Sequence, residues 1–91
     1  MSPDIHHDAG ARRFRTTIDG EPCGLEYRLA NGIMTISHTR VPAAVGGRGV
    51  AAALTLAALQ TARREGWKVV PGCSYASAYI CRHPEFADLL A

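Results

Sequence analysis

From residue 12 onward the chain alternates, and at residue 41 it stops. Phe14, Thr16 and Ile18 fall on alternate positions, with Arg13, Arg15 and Thr17 between them. That is the signature of a strand with one buried face. Asp19-Gly20 supplies a turn. Leu25, Tyr27 and Leu29 then alternate with Glu26 and Arg28, which predicts a second strand. Asn31-Gly32 is a two-residue hairpin signal, because both residue types tolerate positive φ. Residues 33–38 predict a third strand, with Met34 and Ile36 on one face. Connections this short make the three strands an antiparallel meander.

Val41-Pro42 ends the third strand, since proline cannot continue a ladder. Residues 50–65 are rich in helix formers and apolar nearly all round for three turns, predicting a long, buried helix. Arg63 and Arg64 sit where cations complement the helix dipole, and Gly66 suits the position just past the helix end. Residues 67–70 predict a fourth strand, short and central, closed by Pro71-Gly72. Ser74 is a candidate cap for a helix with Tyr75, Ala78 and Tyr79 at helical spacing. His83-Pro84-Glu85 opens a last short helix, after which Leu89 and Leu90 are expected to dock on the core. The class is α/β. Residues 1–10 are expected to be a flexible, polar start, and residues 11–91 one domain.

Composition narrows the classes. The 91 residues fit one domain, and 47% hydrophobic residues argue against disorder. The ten basic residues are scattered, so no nucleic-acid-binding tail or basic–aromatic ladder is signalled. Cys23, Cys73 and Cys81 are odd in number and form no Cys-x-x-Cys pair, which points to a reducing, cytoplasmic compartment rather than a disulfide framework. No stretch is long and apolar enough to span a membrane. His6, His7 and His83 lack metal-ligand spacing, so no metal is expected.

The most informative segment is Val45-Gly46-Gly47-Arg48-Gly49-Val50-Ala51. It follows a strand and opens the buried helix. Glycines let the backbone approach a ligand closely. The first amides of a helix lack internal partners, so with the dipole they form an anion site, to which Arg48 adds a charge. It is not a Walker loop, because Val50-Ala51 stands where Lys-Ser/Thr would be. Nor is it the dinucleotide fingerprint, which needs wider glycine spacing and a parallel unit. A plain glycine-rich helix start is the alternative.

The order strand, Val-Pro exit, glycine turn, helix, strand resembles the GNAT superfamily of acetyltransferases. Their pyrophosphate loop runs Gln/Arg-x-x-Gly-x-Gly/Ala. Gly49 and Ala51 match its last two fixed positions, while Gly46 stands in place of Gln/Arg. That departure shifts the grip toward backbone amides and Arg48. The chain is still more similar to the minimal, single-domain GNAT-like family, through His38-Thr39-x-Val41-Pro42, Gly47-Arg48-Gly49-Val50-Ala51, Pro71-x-Cys73-Ser74-Tyr75 and Tyr79-x-x-x-His83-Pro84. The resemblance implies an N-acetyltransferase that binds acetyl-coenzyme A in a cleft between two splayed strands and passes the acetyl group to an amine. Thr39, Arg40 and Val41 would serve the pantetheine arm. Val45, Gly46, Gly47, Arg48, Gly49, Val50 and Ala51 would serve the pyrophosphate. A coenzyme-binding or protein-interaction module without turnover is the alternative.

Two residues are candidates for chemistry. Cys73 precedes a helix start, where the dipole favours a thiolate, so it is a candidate nucleophile or pocket wall. The plain alternative is a small buried apolar residue. Tyr79 stands where the resemblance places a general acid that protonates the departing coenzyme thiolate. Its plain alternative is a packed aromatic. His38 ends the third strand beside the expected cleft and is a candidate to accept a proton from the amine, but a structural role is the simpler reading. The acceptor and the oligomeric state are not readable.

Overall fold

The computed structural model describes residues 4–91. Five strands, β1 (His6–Asp8), β2 (Arg13–Ile18), β3 (Glu21–Ala30), β4 (Ile33–Arg40) and β5 (Lys68–Pro71), form one sheet in the order β1-β2-β3-β4-β5. The first four run antiparallel, and β5 runs parallel to β4. A parallel neighbour needs a crossover, and helix α1 (Val50–Glu65) supplies it. Helix α2 (Ser74–Arg82) and a 3-10 segment (Pro84–Leu89) complete a second layer.

The meander follows from its turns. Asp19 and Gly20 have φ of 50° and 77°, and Asn31 and Gly32 have 54° and 74°. Both hairpins thus carry positive φ at each central residue, which matches the strands' right-handed twist. The inward positions Phe14, Leu25, Tyr27, Met34 and Ile36 are buried against Val50, Leu54, Ala58, Leu59 and Ala62 of α1. Each such side chain contributes about 1.5–3 kcal/mol relative to an exposed one. α1 buries one stripe fully and leaves Ala51, Ala52, Ala53, Leu56 and Ala57 half-covered, because the second layer lies on one face of the sheet.

Three expectations need correction. Part of the polar start, where looseness was expected, is the edge strand β1, paired with β2. Three residues are too few for a readable alternation; His7 anchors them by stacking on Phe14 (ring centroids 4.2 Å apart) and sharing a 2.6 Å hydrogen bond with the Tyr27 hydroxyl. The strand expected to be central, β5, lies at the sheet's edge, where its far side meets only the Leu90 bridge among the described residues. Leu89 docks in the core, but Leu90 pairs through its backbone and leaves its side chain 42% exposed.

His7 also makes stability depend on pH. Burial first, then Arg64, holds its pKa below the ordinary 6.5, with Glu65 and Asp8 opposing and Arg12 adding to the lowering. The unfolded chain therefore takes up this proton at higher pH than the native one. The stability contributed by the neutral imidazole is complete above the unfolded value and is lost as pH falls through the folded one. Thermal melts should show Tm falling as pH drops below about 6.5, with a shallower slope in His7→Gln. An equal slope in that variant would assign the effect to other groups.

Candidate active site

β4 and β5 pair only as far as Ile36 opposite Pro71. Beyond that point β4 continues to Arg40 on β3 alone, while the chain leaves β5 through Gly72. A wedge opens there, with backbone groups of residues 37–40 lacking a β5 partner. Gly72 is needed at its apex, because a Cβ at this position would lie 2.7 Å from the Ile36 carbonyl oxygen.

A β-bulge decides which side chains face the wedge. Tyr27 pairs with Ile36, but Glu26 pairs with His38, so Ser37 is an extra residue on β4. Strict alternation from Met34 and Ile36 would turn His38 inward. The bulge reverses the phase, so Thr39, opposite buried Leu25, shares the inner face, and His38 joins Glu26 on the outer one. Thr39 Oγ1 lies 3.6 Å from Cys73 Sγ across the wedge. The same sulfur accepts the Ala76 amide proton at 3.4 Å, so Cys73, in extended conformation, caps α2. Ser74, the expected cap, is the first helical residue instead.

The glycine turn borders the other end of the wedge. Val41, Gly46, Gly47, Gly49, Val50, Ala51, Ala52 and Tyr75 line a groove of about 340 Å³. Gly47 and Gly49 have φ of 81° and 76°, and a Cβ on either would meet open space, so backbone conformation alone calls for glycine. Gly46 donates its amide to the Ala43 carbonyl. The first α1 hydrogen bond runs from the Ala53 amide to the Gly49 carbonyl, which leaves the amides of Val50, Ala51 and Ala52 without helical acceptors. No side chain caps this end, and no acidic residue lies in the first turn. The loop therefore presents a positive helix terminus with no carboxylate in its first turn.

The remaining expected residues are placed differently. Val45 and Val50 are 1% and 3% exposed, so they can offer only backbone to a ligand. Arg40 pairs with Gly24 and points to the outer face, away from the groove. Arg48 forms an exposed ion pair with Asp19. Such pairs contribute about 0–1 kcal/mol, so Arg48 can exchange Asp19 for another anion at little cost.

Tyr79 is 5% exposed; it stacks on His83 at 4.0 Å between ring centroids and also neighbours Tyr75 and Phe86. His83 Nδ1 donates to the Tyr79 carbonyl at 2.8 Å. Burial, then Tyr75 and Glu85, raises the Tyr79 pKa above its ordinary 10, so the phenol keeps its proton at neutral pH. Tyr79 lies six positions beyond the Cys73 cap, about 9 Å along the α2 axis, and their neighbours differ. Tyr75, named from the sequence in the Pro71-x-Cys73-Ser74-Tyr75 block and at helical spacing with Tyr79 but not as a site residue, supplies the groove's tyrosine wall. Its place one turn before Tyr79 is the sequence signal that could have found it. Among the described residues no group of three or more His, Cys, Asp or Glu could hold a metal, and no helix is long and apolar enough to cross a membrane.

Comparison with known proteins agrees with this geometry. The chain is 32% identical over 83 residues to Protein NATD1 of Gallus gallus and of Mus musculus, covering 88% of this chain and 76% of each relative. It superposes on the NMR solution structure of a GCN5-like protein from Staphylococcus aureus with a TM-score of 0.77 and 26% identity, over 99% of this chain and 89% of that one. The family model of the GCN5-related N-acetyl-transferase matches residues 13–89. The mixed sheet with its glycine turn and crossover helix is thus a GNAT fold, and the chain belongs to the GCN5-related N-acetyltransferase family.

Proposed function

We propose that this domain binds acetyl-coenzyme A along the wedge and transfers the acetyl group to an amine. The observation that carries the reading is the α1 terminus: unpartnered amides, two glycines in open space and no first-turn carboxylate, bordering the groove. A diphosphate fits that donor set. Thr39, Arg40 and Val41 would run their backbone beside the pantetheine arm. Gly46, Gly47, Arg48, Gly49, Val50 and Ala51, with Val45 behind them, would hold the pyrophosphate. The thioester would lie near Cys73 and the Thr39 hydroxyl.

In the transfer, the amine nitrogen bonds to the acetyl carbon, the carbon–sulfur bond breaks, and the nitrogen gives up one proton, which balances the one the sulfur takes. The departing sulfur needs a proton. Tyr79 keeps one at neutral pH, and Tyr75, on the groove wall, is the alternative donor. A thermal-shift titration with coenzyme A and acetyl-coenzyme A, followed by thiol release with an amine panel, tests the reading. Saturable stabilisation with amine-dependent thiol release is expected. No shift at millimolar coenzyme would overturn it. Loss of release in Tyr79→Phe, but not in Tyr75→Phe, would assign the acid.

The outward turn of His38 removes the one candidate amine base from the wedge, and this favours a second reading, a module that holds the coenzyme without turnover. Binding with no transfer to any amine would select it.

Cys73→Ser separates chemistry from structure. Serine is a preferred N-cap, so α2 and the melting temperature should be retained. If Cys73 carries the acetyl group, rapid-quench intact mass of the parent protein shows one added acetyl and the variant shows none. An unmodified parent under the same quench would restrict Cys73 to lining the pocket.

A further inference from the structure

The outer face of the sheet, opposite both helices, carries a second basic site. Register places His6, Arg15, Gly24 and Arg40 in one row across β1–β4, and Asp8, Arg13, Glu26 and His38 in the next. Arg15 and Arg40 therefore flank a residue with no side chain. Two strand spacings separate their backbones, roughly 10 Å, within reach of one anion for two long side chains. Between them lies a depression of about 350 Å³ lined by Arg13, Arg15, Gly24, Glu26 and Arg40 together with Pro22 and Cys23. Any larger residue at position 24 would fill this gap, and even a Cβ would come 3.2 Å from the Phe14 carbonyl oxygen.

Charge completes the picture. Three arginines elsewhere sit in ion pairs, Arg48 with Asp19, Arg63 with Asp88 and Arg64 with Glu65, while among the described residues Arg12, Arg28 and Arg82 join none. Among the described residues, Arg13, Arg15 and Arg40 join no ion pair, although Glu26 stands directly opposite Arg13. The lining sets three guanidiniums against the Glu26 carboxylate, and with Asp8, opposite Arg13 on β1, the local surplus is one positive charge. Guanidinium donors match the paired oxygens of a phosphate.

We propose that this depression is a phosphate-type oxyanion site, with Arg15 and Arg40 converging over Gly24 and Arg13 at the rim. Its ligand is a phosphate monoester dianion, free or carried on a protein side chain. The site lies on the sheet face away from the coenzyme groove, so the two report separately.

Amide-detected NMR titration of the intact protein with sodium phosphate, against sodium chloride at equal ionic strength, tests it. Saturable shifts at Arg15, Gly24, Glu26 and Arg40 are expected. Arg15→Gln or Arg40→Gln should weaken binding by at least about tenfold, in line with loss of a charged hydrogen bond. Residues 47–52 and the coenzyme titration should be unaffected by Arg15→Gln, which lies outside the coenzyme groove. A phosphoserine peptide with its unphosphorylated control identifies the source: tighter binding than phosphate assigns a protein-borne group, and equal binding assigns the free anion. Equal response to chloride, or unchanged phosphate affinity in both variants, would overturn the site. A failed coenzyme titration with intact phosphate shifts would refute only the acetyltransfer reading.

Discussion

Ala51→Glu should abolish coenzyme binding and leave the fold at least as stable. Ala51 is the second residue of α1, half-covered, and lines the groove. A carboxylate in the first turn of a helix is stabilising by about 0.3–1 kcal/mol, and α1 has none of its own. Toward a diphosphate the same charge is repulsive. Like charges about 4 Å apart cost ~4 kcal/mol at an effective dielectric of 20, so affinity should fall at least a hundredfold. Ala51→Gln adds bulk without charge and should lie between the two. Melting curves and a coenzyme titration on the three proteins check this. Equal affinity in Ala51→Glu would mean that no phosphate sits at this helix end. Gly49→Glu is a less discriminating probe, because φ of 76° strains any side chain there and mixes folding with binding.

The second large effect is expected from one methyl group at the wedge apex. Gly72→Ala puts a Cβ 2.7 Å from the Ile36 carbonyl oxygen, a backbone atom that cannot swing aside. Either β5 withdraws from β4 or the Gly72 turn, closed by its amide to the Val70 carbonyl, rearranges. Overpacking of this kind costs about 1–3 kcal/mol. In a chain of this size that corresponds to a Tm loss of roughly 5–20 °C. Function should suffer beyond stability, since Cys73 is the next residue and its distance to Thr39 is set by the same apex. Urea melts and coenzyme affinity measured well below Tm check both halves. Gly47→Ala is the contrast: its Cβ meets open space, so its cost is conformational alone and should be nearer 1 kcal/mol. Equal, small effects of the two substitutions would refute the apex account.

These predictions share one geometric origin. The wedge exists because β5 stops pairing at Pro71 while β4 runs four residues further. The glycine turn and the α2 cap lie on either side of it. Small changes at the apex therefore act on the groove without touching the ligand.

Much of this arrangement was legible in the chain. Alternation at Phe14, Thr16 and Ile18, at Leu25, Tyr27 and Leu29, and at Met34 and Ile36 was enough for the meander, because inward and outward positions differ sharply in polarity. Asn31-Gly32 and the alanine-rich run after Gly49 did the same for the hairpin and α1, through local backbone preferences. The glycine turn was visible because glycine takes the positive φ found at residues 47 and 49 without the strain a side chain would bring. What the chain alone could not decide depends on partners distant in sequence. The bulge at Ser37 comes from registering β4 on β3, and it moved His38 out of the wedge and Thr39 into it. The edge position of β5, the His7 anchor on Tyr27 and Phe14, and the alignment of Arg15 and Arg40 across Gly24 likewise arise only when strands pair. Local sequence sets which face a residue prefers within its own strand; register against a neighbour, which no single strand encodes, sets which residues meet.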